Sequence, residues 1–164
     1  PGLSASDKSL AYAMRALGFS LKGDYGQALP DYDKALSLDP HSAIALNNRA
    51  WTLFRSGSAE KGLSDVDRSL ELSPASAHAH DTRAHIYQSL GNPQMALADY
   101  LRAMQFGGER IIKLYQCGLM TAGLYKGEVN GLFTSELRRA IETCVYRLDC
   151  DPLPPDEDCR YTTS

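Results

Sequence analysis

The chain has 164 residues, of which 43% are hydrophobic and 23% charged, and its 17 basic and 20 acidic side chains leave a formal net charge of −3. That length holds one ordinary domain or two small ones with a packed core. No basic tract marks a nucleic-acid or anionic-lipid partner, and no apolar run approaches the roughly 20 residues that a membrane-spanning helix needs, so nucleic acid and membrane insertion are set aside.

The chain opens at Pro1-Gly2-Leu3 without an initiator Met, as a mature form or an excised fragment would. Ser4 and Asp7, around Ser6, read as an N-terminal cap for a first helix. From there the sequence repeats every 34 residues: Arg15, Arg49 and Arg83 align, as do Ala16, Ala50 and Ala84. So do Gly23, Gly57 and Gly91; Ala28, Gly62 and Ala96; Leu29, Leu63 and Leu97; and Asp31, Asp65 and Asp99. Each unit reads as a helix, a glycine turn and a second helix, with small residues where the two helices cross. Pro40 and Pro74 close the first two units, Pro30 falls inside a second helix and should kink it, and Gly107-Gly108 ends the series.

This pattern resembles the tetratricopeptide repeat, with units at about 9–42, 43–76 and 77–110. The resemblance implies an all-α fold in which three helix-turn-helix units over 1–108 form a right-handed superhelical array. Its concave face, lined by the first helix of each unit, would hold a protein or peptide. In the family register that groove takes Ala13, Leu17 and Leu21 from the first unit, Asn47, Asn48, Trp51 and Arg55 from the second, and His78, Asp81, His85 and Gln88 from the third. Some relatives clamp a peptide carboxylate with Lys, Asn and Arg. Only Asn48 matches that set, against Ala13, Leu17, His78 and Thr82, so a carboxylate clamp is not expected. Trp51, the one tryptophan, reads either as an anchor for an apolar ligand side chain or as packing between helices. His78, Asp81 and His85 share a helical face, but one helix supplies no fourth ligand, so the expectation is a polar groove without metal, and His80 points away. The recurrent Arg and Asp read as a ladder of ion pairs, or as solvated charge.

After Gly108 the period fails. Residues 111–141 read as a helix ending near Ala122, a glycine-rich loop, and a helix beginning near Ser135. Gln116, Leu119, Gly123, Tyr125, Gly127, Val129, Asn130, Gly131, Phe133 and Ala140-Ile141 give this stretch, 109–148, a resemblance to the small helical peptidoglycan-binding-like module of bacterial wall enzymes. On that resemblance the glycines serve turns, Val129 and Phe133 pin the loop, and Tyr125, Lys126, Glu128 and Asn130 form an exposed edge that contacts peptidoglycan.

The tail, 149–164, is rich in Asp and Pro. Cys117, Cys144, Cys150 and Cys159 contain no C-x-x-C pair and have no nearby His, so two disulfides in an oxidising compartment are expected, with three pairings open. No nucleophile with its base, phosphate-cradling loop or carboxylate pair is present, and Glu128, Glu136 and Glu142 are scattered. The expectation is a non-enzymatic, cofactor-free scaffold of the bacterial envelope or periplasm, holding a protein partner and touching peptidoglycan. The alternative is the non-catalytic region of a larger wall-remodelling or proteolytic enzyme.

Overall fold

A computed structural model describes residues 2–154 and 159. Those residues form seven helices and no strand: α1 (Ala5–Leu21), α2 (Tyr25–Leu38), α3 (Ala43–Arg55), α4 (Ala59–Leu72), α5 (Ala77–Ser89), α6 (Pro93–Thr121) and α7 (Ser135–Cys144). No helix among them is long and apolar enough to cross a membrane. The chain divides into two compact units, one up to Pro74 and one from Ala75 onward.

The first unit is two helical hairpins, α1 with α2 and α3 with α4. Ser4 caps α1 in a reciprocal capping box with Asp7, and Ser42 caps α3 by accepting from the Ala45 amide. Each hairpin turns at a glycine with positive φ, 82° at Gly23 and 84° at Gly57. There the amides of Asp24 and Ser58 reach back to the carbonyls of Phe19 and Leu53, at 2.9 and 2.8 Å, satisfying helix ends that would otherwise stay open. The aligned small residues are buried at the crossings: Ala16 and Ala28 pack with Tyr32. Helix α2 continues through Pro30.

The second unit opens with a third hairpin, α5 and α6, turning at Gly91 (φ 76°). Gly108, at φ 60° and ψ −147°, breaks the helical path of α6 and so ends the repeat where the paired glycines predict. Beyond it the helix continues to Thr121, then comes the glycine loop, then α7, capped by Thr134. One core runs through the hairpin and the C-terminal segment: Ala84, Ala96 and Tyr100 share it with Ile112, Tyr115, Leu119, Leu137, Ile141 and Cys144. At ~25 cal/mol per Å2 of apolar surface, a large buried aromatic or aliphatic side chain contributes roughly 1.5–3 kcal/mol, so this continuous core ties the third hairpin to α7.

Candidate functional site

The first helices of the hairpins carry the candidate partner-binding residues, and the two units treat them differently. In the first unit the face of α1 is open. Leu10, Met14, Leu17 and Leu21 recur at helical spacing and are 61%, 65%, 38% and 78% exposed, while Ile44 at the start of α3 is 75% exposed. Ala13 packs against Leu36, Ala45 and Leu46. Trp51 is half-buried beside Phe54, ring centroids 5.2 Å apart, and the exposed Arg55 guanidinium lies 5.9 Å from its ring centroid. Trp51 thus has ring contacts with residues of its own helix, and the side chain still presents surface. Asn47 and Asn48 are half-buried; the Asn48 carbonyl accepts from the Thr52 hydroxyl. Leu10, Met14 and Ile44 were absent from the sequence-derived groove although the i, i+4, i+7, i+11 spacing of the α1 leucines and methionine carried the first two.

In the second unit the corresponding face of α5 is covered. His78 is exposed, but Asp81, His85 and Gln88 are buried, so the expectation that these three line an open groove is corrected. The cause is the chain's own C-terminal segment. The Tyr115 hydroxyl donates to the Asp81 carboxylate. His85 hydrogen-bonds the Asp81 carbonyl through Nδ1 and the Asp151 carboxylate through Nε2, both at 2.8 Å. The Gln88 amide donates to the carbonyls of Cys144, Arg147 and Cys150 at 3.1, 2.8 and 2.8 Å and accepts from the Tyr100 hydroxyl at 2.8 Å. Burial alone would lower the His85 pKa, yet Asp81 and Asp151 outweigh it and raise it to about 9, so the ring is a cation between two carboxylates at neutral pH. His80, read as pointing away from this face, is buried against Asp99 of α6, 3.0 Å away.

The repeated Arg and Asp form the expected ladder. Arg15–Asp31, Arg49–Asp65 and Arg83–Asp99 are each bidentate, 2.6–2.9 Å apart, and each joins the two helices of one hairpin. Arg49 also reaches Asp33 of the preceding hairpin at 2.9 Å.

The glycine loop is organised by Gln116, which is fully buried. Its carbonyl oxygen accepts from the amides of Asn130 and Gly131 at 3.1 and 2.9 Å, and its amide donates to Asn130 Oδ1 and the Leu132 carbonyl, both at 3.1 Å. Gly131, at φ 77° and against Glu109, accommodates the turn that delivers those amides. Phe133 is 47% exposed, so the loop is held chiefly by a buried amide and not by the aromatic residue expected to pin it. Tyr125 is 3% exposed, and its hydroxyl donates to the Glu128 carbonyl at 2.9 Å, which corrects its placement on an exposed edge: its ring is not available to stack on a sugar. Lys126, Glu128 and Asn130 are exposed along the same edge. Cys117 pairs with Cys159 and Cys144 with Cys150, their Cα atoms 6.1 and 5.4 Å apart.

The family model for the tetratricopeptide repeat matches residues 7–42 and 77–106. No curated protein matches the chain. Among solved structures, the first TPR domain of human RPAP3 superposes with a TM-score of 0.58 at 23% identity, over 60% of this chain and 78% of that one. The first TPR of Spaghetti (RPAP3), bound to the HSP90 peptide SRMEEVD, gives 0.60 at 25% identity over 62% and 80%. Residues 7–42 and 77–106 carry the tetratricopeptide-repeat pattern, and the chain's helical hairpins share the fold of the two solved TPR domains.

Proposed function

We propose that the chain is a non-enzymatic interaction scaffold whose first unit holds an apolar protein segment against α1 and α3. The exposed stripe Leu10, Met14, Leu17 and Leu21 carries this reading, because contiguous apolar surface of this kind marks a binding face. The Spaghetti domain in its solved complex holds an acidic peptide. Here the apolar stripe, with Arg55 the one cation among the register residues of the first unit, favours leucine- or phenylalanine-bearing segments over an acidic terminus.

Peptides selected by phage display against the full chain test this, with the anisotropy of a fluorescein label on the selected peptide as readout. Selection is expected to enrich apolar residues at helical spacing. Trp51→Ala and Leu17→Glu each weaken the selected peptide by about 2 kcal/mol. Enrichment of acidic peptides that bind both variants unchanged would sink the reading.

The proposal extends to an exported, bacterial-envelope setting, supported by the two cysteine pairs and by the peptidoglycan-binding-like pattern of the C-terminal segment. Wall contact in this reading falls to Lys126, Glu128 and Asn130. Such polar bonds contribute only about 0.5–1.5 kcal/mol each, so co-sedimentation with insoluble peptidoglycan is expected to be weak and reduced by the triple alanine variant. Co-sedimentation unaffected by that variant would place wall contact elsewhere. A non-catalytic part of a larger wall-remodelling or proteolytic enzyme would present the same two surfaces, and the mass of the natural polypeptide separates it from a free-standing scaffold.

A further inference from the structure

The covered face of α5 has the makings of a second docking site. Asp81, His85 and Gln88 lie on one side of the helix, spaced four and three apart. What they hold is a short stretch of backbone with one acidic side chain: three carbonyls from residues 144–150 on the Gln88 amide, and the Asp151 carboxylate on His85. Asp81 and Asp151 face His85, and the Tyr100 ring packs against it; Tyr115 bonds Asp81 from α6. The stretch continues over α6, where the Pro152 carbonyl sits against Gly118 so closely that a Cβ there would collide with it. Contacts of this type, a carboxylate on a cation and carbonyls on a side-chain amide, are those by which a protein holds an acidic peptide.

Two disulfides flank the stretch. Cys144–Cys150 closes the loop that offers the three carbonyls, and Cys159 is joined to Cys117 of α6, one residue before Gly118. Within the loop the Arg147 amide donates to the Cys144 carbonyl at 2.9 Å and the Cys150 amide to the Arg147 carbonyl at 3.3 Å; past it the Leu153 amide donates to Asp151 at 2.9 Å. Closing a loop this short favours the docked state by on the order of tens-fold.

We propose that the Asp81–His85–Gln88 face of α5 is a docking site for an acidic peptide segment, occupied in cis by residues 147–153, and that dithiol reduction of the two disulfides releases that occupant. The reading rests on the proposed interaction role of the helical hairpins. In each exchange the dithiol's thiolate attacks one sulfur of the disulfide. Cys150, 6% exposed, is the more open sulfur of its pair, Cys144 being fully buried. The dithiol's second thiol then resolves the mixed disulfide. Two electrons and two protons pass to the protein, two cysteine thiols form, and the dithiol leaves as a disulfide.

Hydrogen exchange on the full chain, oxidised and after dithiothreitol, reads the release without any partner, so it stands or falls separately from binding at Trp51. Reduction is expected to speed exchange of the Arg147, Cys150 and Leu153 amides at least tenfold while the interior amides of α5 and α6 keep their protection. In the oxidised chain Asp151→Ala, which removes the carboxylate from His85, is expected to raise the same three rates. A fluorescein-labelled peptide with the sequence of residues 147–154 and Cys150→Ser is expected to bind the reduced chain at least tenfold more tightly than the oxidised one, and to lose that gain with Gln88→Ala. Unchanged exchange after reduction, equal binding of the peptide to both forms, or loss of α5 and α6 protection along with the loop, which would make the disulfides structural staples only, overturns the proposal.

Discussion

Asp99→Ala is expected to destabilise the second unit by about 3–5 kcal/mol, whereas Asp31→Ala, at the same repeat position, lowers the stability of the first unit by only about 1 kcal/mol. The two carboxylates look alike in sequence and in pairing geometry. They differ in the cations left behind. Arg15 is 60% exposed at its side chain, so water takes over when Asp31 is removed. Asp99 is 1% exposed and serves Arg83, at 18%, and His80, at 7%, together with the more open Arg102. Removing it takes the shared carboxylate from the Arg83 guanidinium and the His80 ring, which solvent cannot readily reach. Asp65, whose Arg49 is 25% exposed, falls between the two. Urea unfolding of the three alanine variants, followed by hydrogen exchange to assign each loss to its unit, checks the order. Equal costs at the three sites would mean that burial of the arginine does not govern the strength of the ladder.

The repeat was legible because its period is written into residues that have few alternatives. A turn needing positive φ selects Gly23, Gly57 and Gly91, close crossings select Ala16, Ala50 and Ala84, and bidentate pairing couples Arg to Asp sixteen residues on. Each signal is local and recurs three times. Nothing comparable marked the cover on α5. His85 meets Asp151 across 66 residues and Gln88 meets Cys150 across 62, through side chains and carbonyls that obey no period. Polar residues on a groove-facing helix look the same whether they await a partner or already hold one. Tyr125 failed for a related reason: an aromatic ring in a glycine-rich loop reads as a platform, and only the carbonyl of Glu128 and the buried amide of Gln116 show that it faces inward.

The second unit is expected to lose stability as the pH rises from about 7 toward 9.5, by on the order of 2–3 kcal/mol, through His85. Its pKa is about 9 in the folded chain against an ordinary 6.5, burial opposing and the carboxylates of Asp81 and Asp151 prevailing. A group whose pKa is raised on folding contributes fully below its unfolded value, here about 6.5, and the contribution is gone once the pH passes the folded value. Burial raises the Asp81 carboxyl while His85 and Tyr115 oppose that, so loss of the imidazolium charge also withdraws a counter-charge from a buried carboxylate. Tyr100 and Tyr115 are pushed well above 10 by burial first and by Asp81, and therefore stay protonated through the window. Above pH 10 they add a decline of their own, as unfolded tyrosine ionises where the folded residue does not, so the test is confined to lower pH. Stability of the oxidised chain measured by urea unfolding at pH 6, 7, 8, 9 and 9.5 should fall along this course, and His85→Gln should flatten it while lowering the value at pH 6. A slope that survives in His85→Gln would assign the alkaline loss to another group and leave the imidazolium between Asp81 and Asp151 without a part in holding the tail.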